Sequence, residues 1–312
     1  ASIRASFNEI CSATALLLKL NSYIMTATRV PTLADFEQAR TNVRQVAIET
    51  PILHSNFLSQ LTGHEVYLKA ENLQRTGAYK LRGAFNRMSK LTKDERKKGV
   101  VAASAGNHAQ GVALAAKKLG IKATIFMPVG ASLPKYNATK NYGANVVLEG
   151  AVFGETLVAA KAYAEKKGAI FIPPYDNLDV VIGQGTVGLE ILDQVDDVQT
   201  IIVSIGGGGL AAGVAVAAKL TAKARGKKIQ VIGVQAENAA SYVPSLRAGK
   251  PVQIDTRPTI ADGIAVAKPG TIPFDLISKH IDKVVTVSDS EIAQAIVALA
   301  ERAKLVVEPA GA

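Results

Sequence analysis

Thr200-Ile201-Ile202-Val203-Ser204-Ile205-Gly206-Gly207-Gly208-Gly209-Leu210 joins a β-branched strand to an alanine-rich helix that starts at Leu210. Four successive glycines let backbone N–H groups turn toward one point at a helix N-terminus, which makes an anion cradle with phosphate as its natural occupant. The plainer alternative is a tight strand-to-helix turn, for which one or two glycines suffice. The lysine-containing P-loop pattern is absent. Gly207 to Ala212 also fits a variant of the dinucleotide fingerprint, with Glu237 after the next strand, a little beyond the usual spacing of about twenty residues. An NAD-dependent dehydrogenase is therefore the rival reading.

Outward from this stretch, short β-branched runs alternate with longer amphipathic ones, the signature of crossover units on a mainly parallel sheet. The pattern predicts an α/β protein. Strands are expected at 65–69, 99–102, 123–127, 145–148, 169–172, 200–205, 230–235 and 283–287, and a polar helix at 32–41. Further helices are expected at 81–91, 108–119, 153–167, 185–195, 210–224 and 289–305. Two alternating blocks follow, 98–178 and 179–312, with 25–97 leading into the first. Ligands of open α/β sheets bind at the carboxyl ends of strands, so the loops after these strands are where chemistry is expected.

The 312 residues, 48% hydrophobic, suffice for one large core or two modest ones. A single cysteine, Cys11, cannot close an internal disulfide, which suits a reducing compartment, and the chain is expected to be cytoplasmic. A net charge of +10 would suit nucleic acid. The basic residues fall instead in short helical clusters (90–98, 161–167, 219–228) with no basic tail or interleaved aromatic platform, so solvated helix faces are the better account. No run of about eighteen uncharged apolar residues is present, which argues against a membrane span. Residues 1–24 read as an extension, with Met25 a candidate natural start. The chain stops at Val306-Val307-Glu308-Pro309-Ala310-Gly311-Ala312, directly after an apolar helical pattern, and a truncated C-terminus is the expectation.

Two more loops carry chemistry. Thr76-Gly77-Ala78-Tyr79-Lys80-Leu81-Arg82-Gly83 runs straight into a helix with Lys80 in its first turn. The positive helix end disfavours an ammonium and Tyr79 excludes water, which favours a nucleophilic amine; a solvated surface lysine is the ordinary alternative. Ser104-Ala105-Gly106-Asn107-His108-Ala109-Gln110-Gly111 again lies between strand and helix. Its backbone N–H groups, hydroxyl and amide suit a carboxylate, with a helix cap as the alternative for Asn107. His108 has no second histidine or carboxylate at ligand spacing, so no metal site is expected.

Together, in this order and spacing, the three motifs resemble the fold-type II pyridoxal phosphate enzymes, specifically the threonine dehydratases (threonine ammonia-lyases), with serine dehydratases and serine racemases as relatives. The likeness runs from about Thr41 to the last residue, through Lys69 to Gln74, Gly183 to Thr186 and Thr259 to Ile264. It implies a tryptophan synthase beta-like fold of two open, mainly parallel-sheet domains with flanking helices. A large cofactor domain would take residues 25–97 and 179–312, and a small substrate-loop domain 98–178. It further implies pyridoxal 5'-phosphate held as a Schiff base on Lys80, with Tyr79 beside the ring, Asn107 on the phenolic oxygen, Gly206, Gly207, Gly208, Gly209 and Leu210 around the phosphate, and Glu308 near the ring. Ser104, Ala105, Asn107 and His108 would grip the substrate carboxylate.

The implied reaction is dehydration and deamination of L-threonine, with L-serine secondary, in a homodimer or homotetramer. Departures from the family pattern bear on this. Ala105 stands where racemases use a serine as the acid/base on the opposite substrate face, which favours dehydration. Gln235 and Ser241 stand where racemases carry acidic metal ligands. The serine that contacts the pyridine nitrogen comes from a loop beyond the end of this chain.

Overall fold

A strand buried on both faces must be apolar throughout, a condition that Val100-Val101-Ala102-Ala103 meets and Ala123 to Met127 meets except at the half-buried Thr124. They form the middle of a four-stranded parallel sheet. The structure, a computed structural model, describes residues 29–312, so the expectations on Cys11, residues 1–24 and Met25 lie outside the described residues.

The described chain opens with helix α1 (Leu33–Val43), whose Thr32 and Asp35 cap each other's backbone. An antiparallel ribbon of β1 (Ile52–His54) and β2 (Tyr67–Lys69) encloses α2 (Asn56–Thr62). Helices α3 (Lys80–Ser89) and α4 (Lys93–Lys98) lead into β3 (Val100–Ala103), α5 (Asn107–Leu119), β4 (Ala123–Met127), α6 (Leu133–Asn141), β5 (Asn145–Leu148), α7 (Phe153–Lys167) and β6 (Ile170–Phe171). The first sheet has the order β5-β4-β3-β6, all parallel. After α8 (Leu178–Gln194), strands β7 (Thr200–Ser204), β8 (Gln230–Ala236) and β9 (Lys283–Val287) make a second parallel sheet. Its crossovers contain α9 (Gly209–Ala224), α10 (Tyr242–Ala248) and α11 (Thr271–His280), and α12 (Asp289–Ala298) follows it. The chain is thus an α/β protein built on two parallel sheets, as expected. Residues 31–312 hold together as one compact unit.

All eight expected strands form, with ends shifted by at most two residues. Three differences have physical causes. Strand β1 was not expected: it is three residues long and follows Pro51. Helix α8 begins at Leu178 rather than 185, because the Asn177 side chain accepts from the N–H groups of Asp179 and Val180 and caps it there. Helix α12 ends as α-helix at Ala298 and closes in a π turn over Leu299–Ala303, with Lys304 left-handed at φ 56°, so the apolar pattern to Leu305 overstates it.

Helix α8 is the buried axis of the second core, packed on α1, α3 and α9. Its glycines permit the approach. A Cβ on Gly185 would overlap the Phe36 ring and come within 2.6 Å of the Gly213 carbonyl oxygen. Among the described residues no helix is long and apolar enough to cross a membrane.

Candidate active site

Lys80 opens α3, and the start of that helix is held by charge. Arg82, fully buried, gives a fork to Glu71 (2.9 and 2.8 Å) and another to Glu190 (2.5 and 2.8 Å), while Lys69 reaches Glu190 at 2.7 Å. Burial alone would depress the guanidinium's pKa, but attraction and hydrogen bonds from Glu71, then Glu190, hold it above the ordinary value. Helix α5 crosses the same turn closely: a Cβ on Gly111 would lie 3.0 Å from Leu81 N and the Lys80 carbonyl carbon. Lys80 therefore has little freedom in its backbone. Its Nζ donates to the Pro174 carbonyl at 3.0 Å and sits 5.3 Å from the centre of the Tyr79 ring.

The loop after β3 turns at Gly106, whose N–H donates to Ser104 Oγ at 3.1 Å, and delivers Asn107 to the first position of α5. Ser104, Ala105, Gly106 and Asn107 are half-buried. Asn107 Nδ2 donates to Glu308 Oε1 at 2.7 Å, which joins two expected site residues 201 positions apart. His108 behaves differently. Its side chain is buried, with Nε2 donating to the Ile172 carbonyl at 2.9 Å and Nδ1 without a partner among the described residues. Burial first, and the Lys80 charge second, push its pKa down to about 3. Its backbone can belong to a carboxylate loop; its imidazole faces the core.

The glycine loop follows β7 and starts α9, whose first N–H groups lack intrahelical partners by the geometry of any helix. Gly208, the N-cap, has φ 98°. Behind the loop the space is filled: Ile264 lies against Gly206, Tyr175 against Gly207 and Gly209, and the Tyr242 hydroxyl against Gly208, so a Cβ at any of the four would meet atoms at 3.0 Å or closer. Leu210 and Tyr79 both pack at the edge of the second core.

The three motifs meet through a segment that sequence reasoning did not single out. Ile172-Pro173-Pro174-Tyr175 leaves the carboxyl end of β6. Its Ile172 carbonyl takes His108, its Pro174 carbonyl takes Lys80, and its Tyr175 ring backs the glycine loop. Its position after a parallel strand was the available signal. Also not anticipated is Lys135, at 3.3 Å from Asp262 and near Gly106. The amide of Gln235 is spent internally, on the carbonyls of Ile205 and Ala239 and the N–H of Tyr242. A surface concavity of about 500 Å³ bordered by Phe57, Val297 and Arg302 shares no residue with these loops.

These features fit pyridoxal phosphate. A cradle closed behind by Tyr175 and Tyr242 leaves only its open side for an anion, and a lysine amine and an asparagine amide are tied to the same frame. Comparison with known proteins agrees. Residues 43–312 match the family described as "Pyridoxal-phosphate dependent enzyme". An L-threonine ammonia-lyase of Thermotoga maritima is 50% identical over 281 residues, covering 90% of this chain and 69% of that protein. The processed form of threonine deaminase isoform 2 from Solanum lycopersicum has the same fold, with a TM-score of 0.84, 39% identity, and coverage of 89% of this chain and 81% of its own. Maize serine racemase gives a TM-score of 0.87 at 34% identity, over 91% of this chain and 85% of its own. The chain belongs to the family of pyridoxal-phosphate dependent enzymes.

Proposed function

We propose that the chain is a threonine ammonia-lyase, converting L-threonine to 2-oxobutyrate and ammonia, with L-serine as a secondary substrate. The observation that carries the proposal is the meeting of Lys80, the 104–108 loop and the glycine loop on one segment, Ile172 to Tyr175. Similarity to an L-threonine ammonia-lyase and to a threonine deaminase supports the substrate. Bound pyridoxal phosphate supplies an electrophilic aldehyde and a ring that withdraws electrons from the substrate α-carbon.

The chain's own residues do the rest. Lys80 would anchor the cofactor, and as a free amine its Nζ would serve as the base for the substrate α-proton. The Pro174 carbonyl keeps that amine at hand, and α3 keeps its backbone still. Gly206 to Gly209 and Leu210 bind the phosphate through main-chain N–H groups. Asn107 would hold the phenolic oxygen, Tyr79 would flank the ring, and Glu308 orients Asn107. Ser104, Ala105, Asn107 and His108 bind the substrate carboxylate, His108 through its backbone alone because its imidazole is buried. Ala105 offers no hydroxyl, so the substrate face that a racemase protonates with serine lacks that acid here. The same proposal includes the two domains (25–97 with 179–312, and 98–178), a cytoplasmic location and a homodimer or homotetramer.

Borohydride reduction of the holoenzyme is expected to leave the cofactor's mass on the tryptic peptide Thr76–Arg82, uncleaved at Lys80. L-Threonine and L-serine should then give 2-oxo acid and ammonia with little D-isomer. A tag elsewhere, or substantial D-serine, contradicts the assignment.

A further inference from the structure

An anion cradle made of main-chain N–H groups works only while those groups face the anion. In a trans peptide the C=O and the next N–H point in opposite directions, so whatever holds a carbonyl also aims the N–H behind it. The Gly207 carbonyl is held twice. The Tyr242 hydroxyl donates to it at 3.2 Å, and the N–H of Gly270 donates to it at 3.2 Å.

Tyr242 is itself fixed. It is fully buried, its N–H donates to Gln235 Oε1 at 2.9 Å, and its ring packs on Phe274 with centroids 6.3 Å apart. Burial raises the phenol pKa well above its ordinary value, so the hydroxyl stays a donor throughout the working pH range. The next residue, Gly208, has φ 98°, and the Tyr242 hydroxyl occupies the place its Cβ would need. The loop thus has one arrangement against this phenol, with Gly207 C=O turned back and Gly208 N–H turned out.

We infer that Tyr242 is a positioning residue for the phosphate end of the cofactor: its hydroxyl pins the Gly207 carbonyl and so aims the Gly208 N–H at the phosphate. This rests on the pyridoxal phosphate reading of the site. It assigns a role to a residue, on a helix after β8, that lies outside all three sequence motifs.

The test compares two probes on the apoenzyme by calorimetric titration: pyridoxal 5'-phosphate and pyridoxal, which lacks the phosphate. Tyr242→Phe is expected to raise the Kd of pyridoxal 5'-phosphate about tenfold, the effect of one buried hydrogen bond. The Kd of pyridoxal stays within about twofold, because the phosphate contacts alone are disturbed. Equal weakening of both probes would mean general loosening of the fold, and no change in either would mean that Gly270 alone holds the loop; each overturns the inference. If Tyr242→Phe does not fold, 3,5-difluorotyrosine at position 242 keeps the ring and sharpens the donor. It should tighten pyridoxal 5'-phosphate and leave pyridoxal unaltered, and tightening of both or of neither overturns the inference equally. Failure of the cofactor reading itself would show separately, as absence of the borohydride tag on Thr76–Arg82 in the wild-type protein.

Discussion

His108 Nε2 meets a carbonyl, which can only accept, so the imidazole is held as the neutral tautomer with its proton on Nε2. Protonating Nδ1 would place a charge in a buried site beside the Lys80 ammonium, which is why its pKa falls to about 3. In the unfolded chain the same group titrates near 6.5. Between these values the unfolded state binds a proton that the folded state refuses, so the stability tied to His108 is fully present above about pH 6.5 and is lost as pH falls toward 3. The loss approaches about 1.4 kcal/mol per pH unit. His108→Gln can still donate to Ile172 and has nothing to titrate. Urea unfolding of both proteins at pH 7.5 and 5.5 should therefore find the wild type's advantage over His108→Gln smaller at pH 5.5 by about 1 kcal/mol. His54, His64 and His280 are common to both proteins and cancel. An advantage that does not change with pH would show that His108 is not buried in its neutral form.

Helices α8 and α9 cross where Gly185 meets Gly213. A Cβ on Gly213 would overlap the Val181 carbonyl oxygen and stand 2.6 Å from Gly185 N. Propensity alone says that alanine stabilises a helix over glycine by about 1 kcal/mol. Backbone overlap cannot be relieved by a rotamer, so packing should win, and Gly213→Ala is expected to destabilise by about 1–3 kcal/mol. Gly154, at the start of α7, has nothing within 4 Å of its Cβ position, and Gly154→Ala should be neutral or stabilising by up to about 1 kcal/mol. Thermal melts of the pair should move in opposite directions or leave only Gly213→Ala shifted; a Gly213→Ala melt no lower than wild type removes the close crossing. The same glycines limited what could be read from sequence. Gly183 and Gly185 interrupt the apolar pattern of helix α8, which begins at the Asn177 cap rather than at the expected residue 185, although those glycines are what allow its burial. Strands of the parallel sheets were legible because each carries a short β-branched or apolar run, from the fully buried Val100–Ala103 to the half-exposed Lys283–Val287. The three site motifs were legible because glycine runs and small polar loops between strand and helix have few other uses. Ile172 to Tyr175 was not, since it works through two carbonyls and the face of a ring, and any residue supplies a carbonyl.

Across the whole molecule, the motifs come from both sheets. Lys80 and Asn107 belong to elements around β3 and β6, whereas the glycine loop belongs to β7, and the direct ties between them include Tyr175 behind the glycine loop, Asn107 to Glu308 and Lys135 to Asp262. The last of these is an exposed pair worth no more than about 1 kcal/mol. A ligand that engages the glycine loop at one end and Lys80 at the other binds only when both sets of elements are in place, so it stabilises the folded state alone. Free cofactor at about 100 times its Kd then adds about 2.7 kcal/mol, by mass action and without any new protein contact. Calorimetric melts of apoenzyme, prepared by resolving the cofactor with hydroxylamine, should rise by several degrees on adding pyridoxal 5'-phosphate and rise further with its concentration. On the proposed assignment Lys80→Ala removes the covalent end and leaves the cradle, so its melt should rise less but still rise. If the Lys80→Ala protein gains nothing from pyridoxal 5'-phosphate, the glycine loop does not bind the phosphate; if the wild-type melt is also unmoved, the cofactor does not join the two sets of elements.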